Sequence, residues 1–127
     1  MRTPILGAAL IAAMTAPASG QDLENGKAVW SKCRACHMVG ENARNLVGPV
    51  LNGLIGRKAG TVDGFNYSEA NKNSGIVWDE ATFRAYIREP KATMPNTKMV
   101  FAGLSDPQDI EDLLAFLKQF GPDGKKK

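Results

Sequence analysis

The chain has 127 residues and a formal net charge of +3, from 16 Lys and Arg against 13 Asp and Glu. The positive excess lies at the two ends, because residues 21–124 carry 12 basic and 13 acidic side chains. Proteins that bind nucleic acid usually present a clustered basic face. The composition therefore excludes that class, and any functional positive charge has to be a local patch.

The first twenty residues have the three-part layout of a secretory signal peptide. A basic second residue precedes an apolar run, Ile5–Met14, and the segment closes with Ala18 and Gly20 just before the expected cleavage site. A helix that stays in a membrane needs about 20 apolar residues, and this run is roughly half as long. We therefore predict that residues 1–20 are cleaved and that the protein is exported to the periplasm, not inserted in a membrane.

The remainder of the chain has the size of one small domain. Glycine is frequent between residues 40 and 75, which hold seven of the 13 glycines, and the alternating polar and apolar patterns typical of strands are scarce. We predict one all-α domain over residues 21–121, with long irregular loops. A flexible basic tail is expected at residues 122–127.

The first predicted helix begins near the start of this domain. Residues that recur at spacings of three or four predict one helical face that runs into the cysteine motif: Leu23, Gly26, Trp30, Cys33 and His37. A short second helix is predicted over residues 69–72. Ser68 is its expected N-cap, and the sequence "NSG" ends it.

Two further helices are predicted in the second half of the chain. Asp79 is a favourable N-cap for the third, which Pro90 ends by about residue 89. Its apolar face consists of Phe83, Tyr86 and Ile87. The last helix begins with a capping-box pattern, Ser105 followed by Gln108, and stops at "GP", residues 121–122. Its apolar stripe consists of Ile110, Leu113, Leu114, Leu117 and Phe120.

Both cysteines and the only histidine of the chain lie within five residues, "CRACH", from Cys33 to His37. On helical turns these side chains project from one face. Three kinds of site use such residues: a redox disulfide, a metal site and a cofactor anchor. An exported CxxC pair tends to oxidise, but thioredoxin-like motifs lie in a strand–helix context, and no strand is predicted here. Structural zinc takes four ligands, usually Cys and His, and only three are present.

A cofactor anchor accounts for all three residues. Two thiols three positions apart can form thioethers with the two vinyl groups of one haem, and a histidine directly after them lies beneath the iron. CxxCH is the attachment signature of c-type haem. The motif therefore predicts one haem c, bound covalently through Cys33 and Cys36, with His37 as a ligand of the iron.

The residue at the other axial position of the iron decides the function. Three methionines follow the predicted signal peptide: Met38, Met94 and Met99. Met38 is adjacent to His37 and cannot reach the opposite face of the haem. Met94 and Met99 lie in a proline-broken loop from which a soft thioether can be brought to iron. Spacing alone does not choose between these two.

Four sequence blocks carry a resemblance to a known family: "GKAVWSKCRACH", "GPVLNGLIGRKAG", "GFNYSEANKNSGIVW" and "PNTKMVFAGL". With these blocks, in this order, the chain resembles the class I cytochromes c, the type shared by mitochondrial cytochrome c and its short bacterial periplasmic relatives. The resemblance implies a small single-domain cytochrome c fold, with helices and long loops wrapped around one covalently bound haem. It also implies that Met99 binds the iron and that Met94 occupies an apolar position.

The resemblance implies roles for further residues. The Pro49 carbonyl is expected to accept the N–H of the His37 imidazole. The residues expected to hydrogen-bond or neutralise the inner haem propionates are Arg57, Tyr67 and Trp78. Those expected to form the polar network around the iron-bound sulfur are Asn71, Tyr86 and Thr97. The residues expected where the first and last helices cross are Gly26, Trp30, Leu113 and Phe116.

The function implied is that of a soluble carrier whose iron alternates between the ferrous and ferric states. Because both axial positions are filled, no substrate reaches the iron and the protein is not an enzyme. The alternative is a haem protein with an open or displaceable sixth position, either ligand-binding or peroxidase-like. A distal His or Arg would favour that alternative, but the only His is proximal.

The implied partners are membrane redox complexes. A quinol-oxidising cytochrome bc-type complex would donate the electron, and a terminal oxidase, a photosynthetic reaction centre or a periplasmic reductase would accept it. The protein is expected to be a monomer and to bind no nucleic acid. The lysines expected around the exposed haem edge are Lys27, Lys32, Lys91 and Lys98. Ser105 and Asp106 replace basic residues common in mitochondrial relatives. The last helix carries an acidic run, Asp109, Glu111 and Asp112, and with Asp109 and Asp112 it is expected to lie on the far side.

Overall fold

The computed structural model describes residues 2–5, 7–9 and 20–127. The helices are α1 (Leu23–Trp30), α2 (Glu69–Lys72), α3 (Glu80–Arg88), α4 (Pro90–Thr93) and α5 (Pro107–Lys118). In these ranges the β-structure is confined to two isolated bridges, Lys58–Val77 and Phe120–Lys126. The all-α prediction is confirmed. Most of the predicted signal peptide lies outside the described residues. Among those described, no helix is long and apolar enough to cross a membrane.

Helix α1 begins at an N-cap that the sequence offers and ends before the cysteine motif. The Asp22 carboxylate accepts hydrogen bonds from the amides of Glu24 and Asn25, at 3.0 and 3.1 Å. At Ser31 the backbone changes to bonds with the third preceding carbonyl, and the Ser31 hydroxyl also donates to the Ala28 carbonyl at 2.6 Å. The predicted continuous helix through the motif is therefore wrong. The motif lies in successive turns after α1.

Helices α2 and α3 confirm the sequence prediction, including their caps. The Ser68 hydroxyl accepts from the Asn71 amide at 3.2 Å, and the Asp79 carboxylate accepts from the Thr82 amide at 2.7 Å. Pro90 ends α3 at Arg88 and is itself the first residue of α4, where a missing N–H costs nothing. Helix α4 is not among the helices predicted from the sequence.

Helix α5 has the predicted apolar stripe but begins differently from the prediction. Asp106, not Ser105, is the N-cap, and its carboxylate accepts from the Gln108 amide at 2.9 Å. Pro107 fixes the first helical position, which moves the cap one residue beyond Ser105. The proposed Ser105–Gln108 capping box is therefore wrong. Residues Ile110, Leu113, Leu114 and Leu117 are all at least 96% buried.

Helices α1 and α5 cross at Gly26. A Cβ atom on Gly26 would meet the main-chain carbonyl of Asp112 and would lie 2.9 Å from the Phe116 Cβ, so only glycine fits this approach. Beside it the rings of Trp30 and Phe116 pack with centroids 5.7 Å apart. The predicted crossing is confirmed, and it places the start of the cysteine motif against the last helix.

The acidic residues of α5 do not form the expected exposed surface. The Asp112 side chain is 1% exposed and accepts hydrogen bonds from the Asp22 amide, Asn25 Nδ2 and Gln108 Nε2, each at 2.8 Å. Burial raises the pKa of Asp112, but these donors outweigh burial and hold the pKa below its ordinary value. The prediction of Asp112 as a surface charge is wrong, because α1 covers it.

The other two acids of α5 are also engaged. Glu111 forms a two-bond contact with Arg84 of α3, with N–O distances of 2.5 and 3.2 Å. Asp109 accepts from Asn25 Nδ2 at 2.9 Å. These contacts join α5 to α3 and α1, so the acidic residues of α5 fix its position between the other helices.

The C-terminal residues fold back on the chain and do not form the expected flexible tail. The Gly121 amide donates to the Lys125 carbonyl at 3.0 Å, and the Lys127 amide donates to the Gln119 carbonyl at 2.8 Å. The Lys126 ammonium lies 5.8 Å from the centre of the Phe120 ring. Residues 119–127 therefore form a small hairpin, which we call the C-terminal hairpin.

The crossing at Gly26 generates a stability prediction. Gly26→Ala is expected to lower the free energy of unfolding by about 1–3 kcal/mol, because the added methyl group must enter a filled space. Alanine is the better helix former by roughly 0.5–1 kcal/mol, so helix propensity alone predicts the opposite sign. Chemical denaturation of the haem-loaded protein measures the difference.

The exposed position Ala28, on the same helix, provides the control. Ala28→Gly changes only helix propensity and is expected to cost about 1 kcal/mol. A Gly26→Ala protein as stable as the parent, or more stable, would contradict the close approach of α1 to α5.

Candidate functional site

A cavity of about 410 Å³ lies between the cysteine motif and the loop after α4. Its volume is within the range of small-molecule and cofactor pockets, roughly 300–1,000 Å³. Most of its wall is apolar, with side chains from Leu54, Phe83, Leu113 and Leu117. All eleven residues predicted for the site line it: Cys33, Cys36, His37, Pro49, Arg57, Tyr67, Asn71, Trp78, Tyr86, Thr97 and Met99. The fold thus brings residues up to 66 positions apart in the chain to one cavity.

The two cysteines lie at the edge of this cavity with free thiols. Cys33 is half-buried and Cys36 is exposed. Burial, followed by the neighbouring Cys36, raises the pKa of Cys33 to about 11. The turn bond from the Cys36 amide to the Cys33 carbonyl, 3.0 Å long, keeps the two thiols on the same side of the chain.

The loop 48–49 fixes the His37 imidazole. Its Nδ1 lies 2.7 Å from the Pro49 carbonyl oxygen and donates to it, so Nε2 keeps its lone pair for a metal. Burial is the main effect that lowers the pKa of His37, which holds the ring neutral, as a metal ligand must be. Gly48 lies against the ring, and a Cβ on Gly48 would be 2.7 Å from Nδ1.

A second polar group in the cavity surrounds Met99. The Tyr86 hydroxyl donates to the Met99 sulfur at 3.6 Å, and the Met99 amide donates to the Thr97 hydroxyl at 3.3 Å. Burial raises the pKa of Tyr86, which keeps its hydroxyl a donor. Asn71 Oδ1 is buried with no hydrogen-bond partner among the residues described. A buried acceptor without a partner indicates that this part of the cavity holds something further.

Arg57 brings positive charge to the cavity. Its Nη1 donates to the Val50 and Asn52 carbonyls at 3.0 and 3.1 Å, while Nε is buried and has no partner within the described ranges. Burial lowers the pKa of Arg57, although a guanidinium stays charged at neutral pH. Tyr67, also in the wall, accepts the Val62 amide at 3.0 Å on its hydroxyl oxygen. A buried guanidinium with a free donor suits a carboxylate.

These observations test whether the site fits a c-type haem, and the residues present do fit. The wall is apolar, the thiols lie at its edge, and a neutral imidazole and a thioether line the same cavity. The buried Arg57 donor matches the acidic side chains of that cofactor. By contrast, Met94 is 2% exposed and belongs to the core, away from the cavity wall.

Gly48 and Asn52 help to hold the loop beside His37, and neither is among the site residues predicted from the sequence. Gly48 allows the loop to approach the imidazole, and its only signal is its place before Pro49. Asn52 bonds both main-chain groups of Gly40, at 2.9 Å each, across twelve residues. Such a bond has no local sequence signature.

Comparison with known proteins supports the same cofactor. The sequence model of the family described as "Cytochrome c" matches residues 23–121. A cytochrome c2 from Blastochloris viridis is 55% identical over 127 residues, which is the whole of both chains. A cytochrome c2 from Rhodoplanes tepidamans is 64% identical over 107 residues, 84% of this chain and 100% of that protein. The solved structure of cytochrome c2 from Rhodospirillum centenum has a TM-score of 0.74 at 43% identity, covering 80% of this chain and 99% of that one.

The chain belongs to the cytochrome c family. It carries one covalent haem c, and its two cysteines have the CxxCH spacing for attachment. It is an electron carrier and not an enzyme. The resemblance to class I cytochromes c and the predicted fold are therefore confirmed.

The contact between Gly48 and the imidazole generates a prediction about haem loading. Gly48→Ala is expected to lower the fraction of purified protein that carries haem, because its methyl group and the His37 ring cannot share the same space. The ratio of haem absorbance to protein absorbance measures this fraction.

Val47→Ala is the matched control, since Val47 is the preceding loop residue and is 77% exposed. This variant is expected to load haem as the parent does, with stability within about 0.5 kcal/mol. A Gly48→Ala protein with full haem content and an unchanged spectrum would show that the loop does not hold the imidazole.

Proposed function

We propose that His37 Nε2 and the Met99 sulfur would bind the haem iron, and that Cys33 and Cys36 would hold the haem covalently. The bound haem supplies one-electron chemistry between ferrous and ferric iron. The observation that carries this proposal is that the only histidine and Met99 line one cavity, while Met94 is buried in the core.

The proposed ligands are held in place by their own hydrogen bonds. The Pro49 carbonyl fixes the His37 tautomer and strengthens the imidazole as a donor to the metal. The Tyr86 hydroxyl holds the Met99 sulfur, which opposes displacement of this ligand by small molecules. With Thr97 and Asn71, Tyr86 forms the proposed polar network around the sulfur. This arrangement supports a carrier over a haem protein with an open sixth position.

The inner haem propionates are proposed to lie near Arg57, Tyr67 and Trp78. The unpaired Nε of Arg57 supports this placement, because a propionate would supply the missing acceptor. Trp78 is 8% exposed and packs edge-on against Tyr86, with ring centroids 4.9 Å apart. This contact links the propionate end of the cavity to the Met99 end.

We propose that residues 1–20 are removed and that the cytochrome domain begins at residue 21, in a soluble periplasmic monomer. The signal-peptide layout supports export. The Rhodoplanes tepidamans cytochrome c2 matches over 107 residues, the number in 21–127. The domain would extend to residue 121, and residues 122–127, the rest of the C-terminal hairpin, would follow it.

The proposed partners are a quinol-oxidising cytochrome bc-type complex as donor and a terminal oxidase, photosynthetic reaction centre or periplasmic reductase as acceptor. Docking would use the cavity mouth, where Val47 and Val100 are 77% and 100% exposed. Lys32 and Lys98 also line the cavity. Exposed apolar residues beside lysines suit a small, electrostatically guided interface below about 1,200 Å².

The other lysines of the predicted ring contribute less clearly. Lys27 and Lys91 are exposed but lie outside the cavity wall. Lys98 also donates to the Asn66 carbonyl and lies 5.0 Å from the centre of the Phe65 ring. Lys32 is therefore the best position at which to test docking. It lines the cavity, and within the described residues its side chain makes no contact like those of Lys98 with Asn66 and Phe65.

The ligand assignment predicts opposite behaviour for two methionine variants. Met99→Ala is expected to open the iron to cyanide or carbon monoxide and to lower the reduction potential, because a thioether favours the ferrous state. The loss of the methionine-ligation band in the ferric absorbance spectrum and a redox titration measure both effects.

Met94→Ala is the matched control. It removes a side chain that is 2% exposed, so it is expected to cost about 2–5 kcal/mol of stability while leaving the ligand spectrum unchanged. If Met94→Ala loses the ligation band and Met99→Ala keeps it, the two assignments must be exchanged.

The docking surface predicts an effect on association rate. Lys32→Glu is expected to slow association with a purified bc-type complex by about 3- to 10-fold at low ionic strength, a part of the roughly 10- to 1,000-fold that charge steering supplies. The difference should shrink as salt screens the charges, and the reduction potential should stay nearly constant. Stopped-flow spectroscopy at several ionic strengths measures the rate.

A variant with Gln at residues 125–127 provides the control. It removes three positive charges, more than the two-unit change of Lys32→Glu, but on the C-terminal hairpin and away from the cavity wall. It is expected to slow association less than Lys32→Glu. A larger effect of the hairpin variant would mean that docking does not use the cavity mouth.

A further inference from the structure

The C-terminal hairpin packs on the loop that follows the cysteine motif. Gly124 has a φ of +80° and lies directly against the main-chain carbonyl of Gly40, with no room for a side chain between them. A Cβ on Gly124 would also be 2.8 Å from Asn52 Nδ2. Two turns of chain 84 positions apart are therefore in backbone contact.

A second contact joins the hairpin to the end of the same loop. The Gly53 amide donates to the Phe120 carbonyl at 3.0 Å. Gly53 also lies against Pro122, since a Cβ on Gly53 would be 2.9 Å from the Pro122 Cα. The hairpin thus touches the loop at both its start and its end, through Gly40 and Gly53.

Between these contacts the loop is tied together by side chains. Asn52 accepts from the Gly40 amide and donates to the Gly40 carbonyl, each at 2.9 Å. Asn45 accepts from the Val50 amide at 2.9 Å. The loop 40–53 is therefore a closed unit, and it carries Pro49, the acceptor of the His37 N–H.

We propose that the C-terminal hairpin is a positioning element for His37, which acts by clamping the loop 40–53 so that the Pro49 carbonyl stays within hydrogen-bond distance. This inference rests on the proposed role of His37 as an axial ligand. No residue of the hairpin lines the cavity, and its contacts with the loop that carries Pro49 are those at Gly40, Asn52 and Gly53. Its proposed effect on His37 passes through these contacts. Gly53 and Gly124 make the fit at these contacts close and therefore sensitive to small changes.

Hydrogen exchange in the ferrous haem-loaded protein tests the proposal. Two variants disturb the clamp: deletion of residues 122–127, and Gly124→Ala, which keeps length and charge. In both variants we expect hydrogen exchange to be about tenfold faster, or more, at the Gly48 and Leu51 amides and the His37 Nδ1–H. Because the opening is local, these rates should not depend on low concentrations of denaturant. The Leu114 amide lies in α5 and exchanges only when the whole protein unfolds. Its exchange rate is therefore expected to change much less than the rates at Gly48, Leu51 and His37.

Two controls separate the clamp from general effects. Gly75→Ala introduces alanine at a similar φ of +68°, but nothing lies within 4 Å of the added Cβ. Gln at residues 125–127 removes the three lysine charges that the deletion also removes, while keeping Asp123 and the backbone. Both are expected to leave exchange at Gly48, Leu51 and His37 unchanged. Equal acceleration in either control, or unchanged exchange at Gly48 and Leu51 in Gly124→Ala, would overturn the proposal.

The same spectra distinguish this result from failure of the ligand assignment. If His37 does not bind the iron, its ring protons lack the large shift caused by the haem ring current, whatever the hairpin does. The Gly48 and Leu51 amides still report whether the hairpin holds the loop. Each proposal is thus decided by its own signal.

Discussion

The backbone contact between α1 and α5 at Gly26 is the constraint on which the site depends. Because α1 ends at Trp30, whose ring packs on Phe116, the turns that carry the cysteine motif start at a fixed point on the last helix. From α5, Leu113 and Leu117 also form part of the cavity wall. One helix crossing therefore sets both the position of the haem attachment and the surface that lies beneath it.

Buried hydrogen bonds fix the relative position of α1 and α5, which apolar packing alone does not determine. The Asp112 carboxylate ties the N-terminal end of α1 to α5 through two hydrogen bonds, from the Asp22 amide and from Asn25 Nδ2, and a third bond from Gln108 lies within α5. The helices therefore cannot slide without leaving a buried charge unsatisfied. The pKa of Asp112 is lower in the folded protein than in the unfolded chain. Its carboxylate therefore contributes fully to the free energy of unfolding above the ordinary pKa of aspartate, and this stabilisation is lost as the pH falls through the folded-state pKa. A few polar contacts around Asp112 therefore fix the position of α1 along α5.

Local sequence signals predicted much of this molecule, and long-range contacts account for what they missed. Ser68, Asp79 and Pro90 fix helix ends through their own neighbours, so these boundaries are readable. Asp112 is buried because α1, at the other end of the chain, covers it. The hydrophobic periodicity of α5 does not indicate this contact. The CxxCH motif predicts Cys33, Cys36 and His37 by itself, but the other cavity residues are predicted only through resemblance. The spacing of Met94 and Met99, for example, does not show which one lies in the core.

The distribution of polar groups in the cavity explains why this fold suits transfer of an electron without other chemistry. Arg57 lies at one end and the Tyr86, Thr97 and Asn71 group surrounds Met99, while the rest of the wall is largely apolar. The His37 imidazole, the Arg57 guanidinium and the Met99 sulfur are each held by a hydrogen bond to a main-chain or neighbouring group. A change in iron charge would therefore be met by fixed dipoles, with little rearrangement of the surrounding residues. The proposed clamp on the Pro49 loop extends the same principle, because it would hold the Pro49 carbonyl within hydrogen-bond distance of the imidazole.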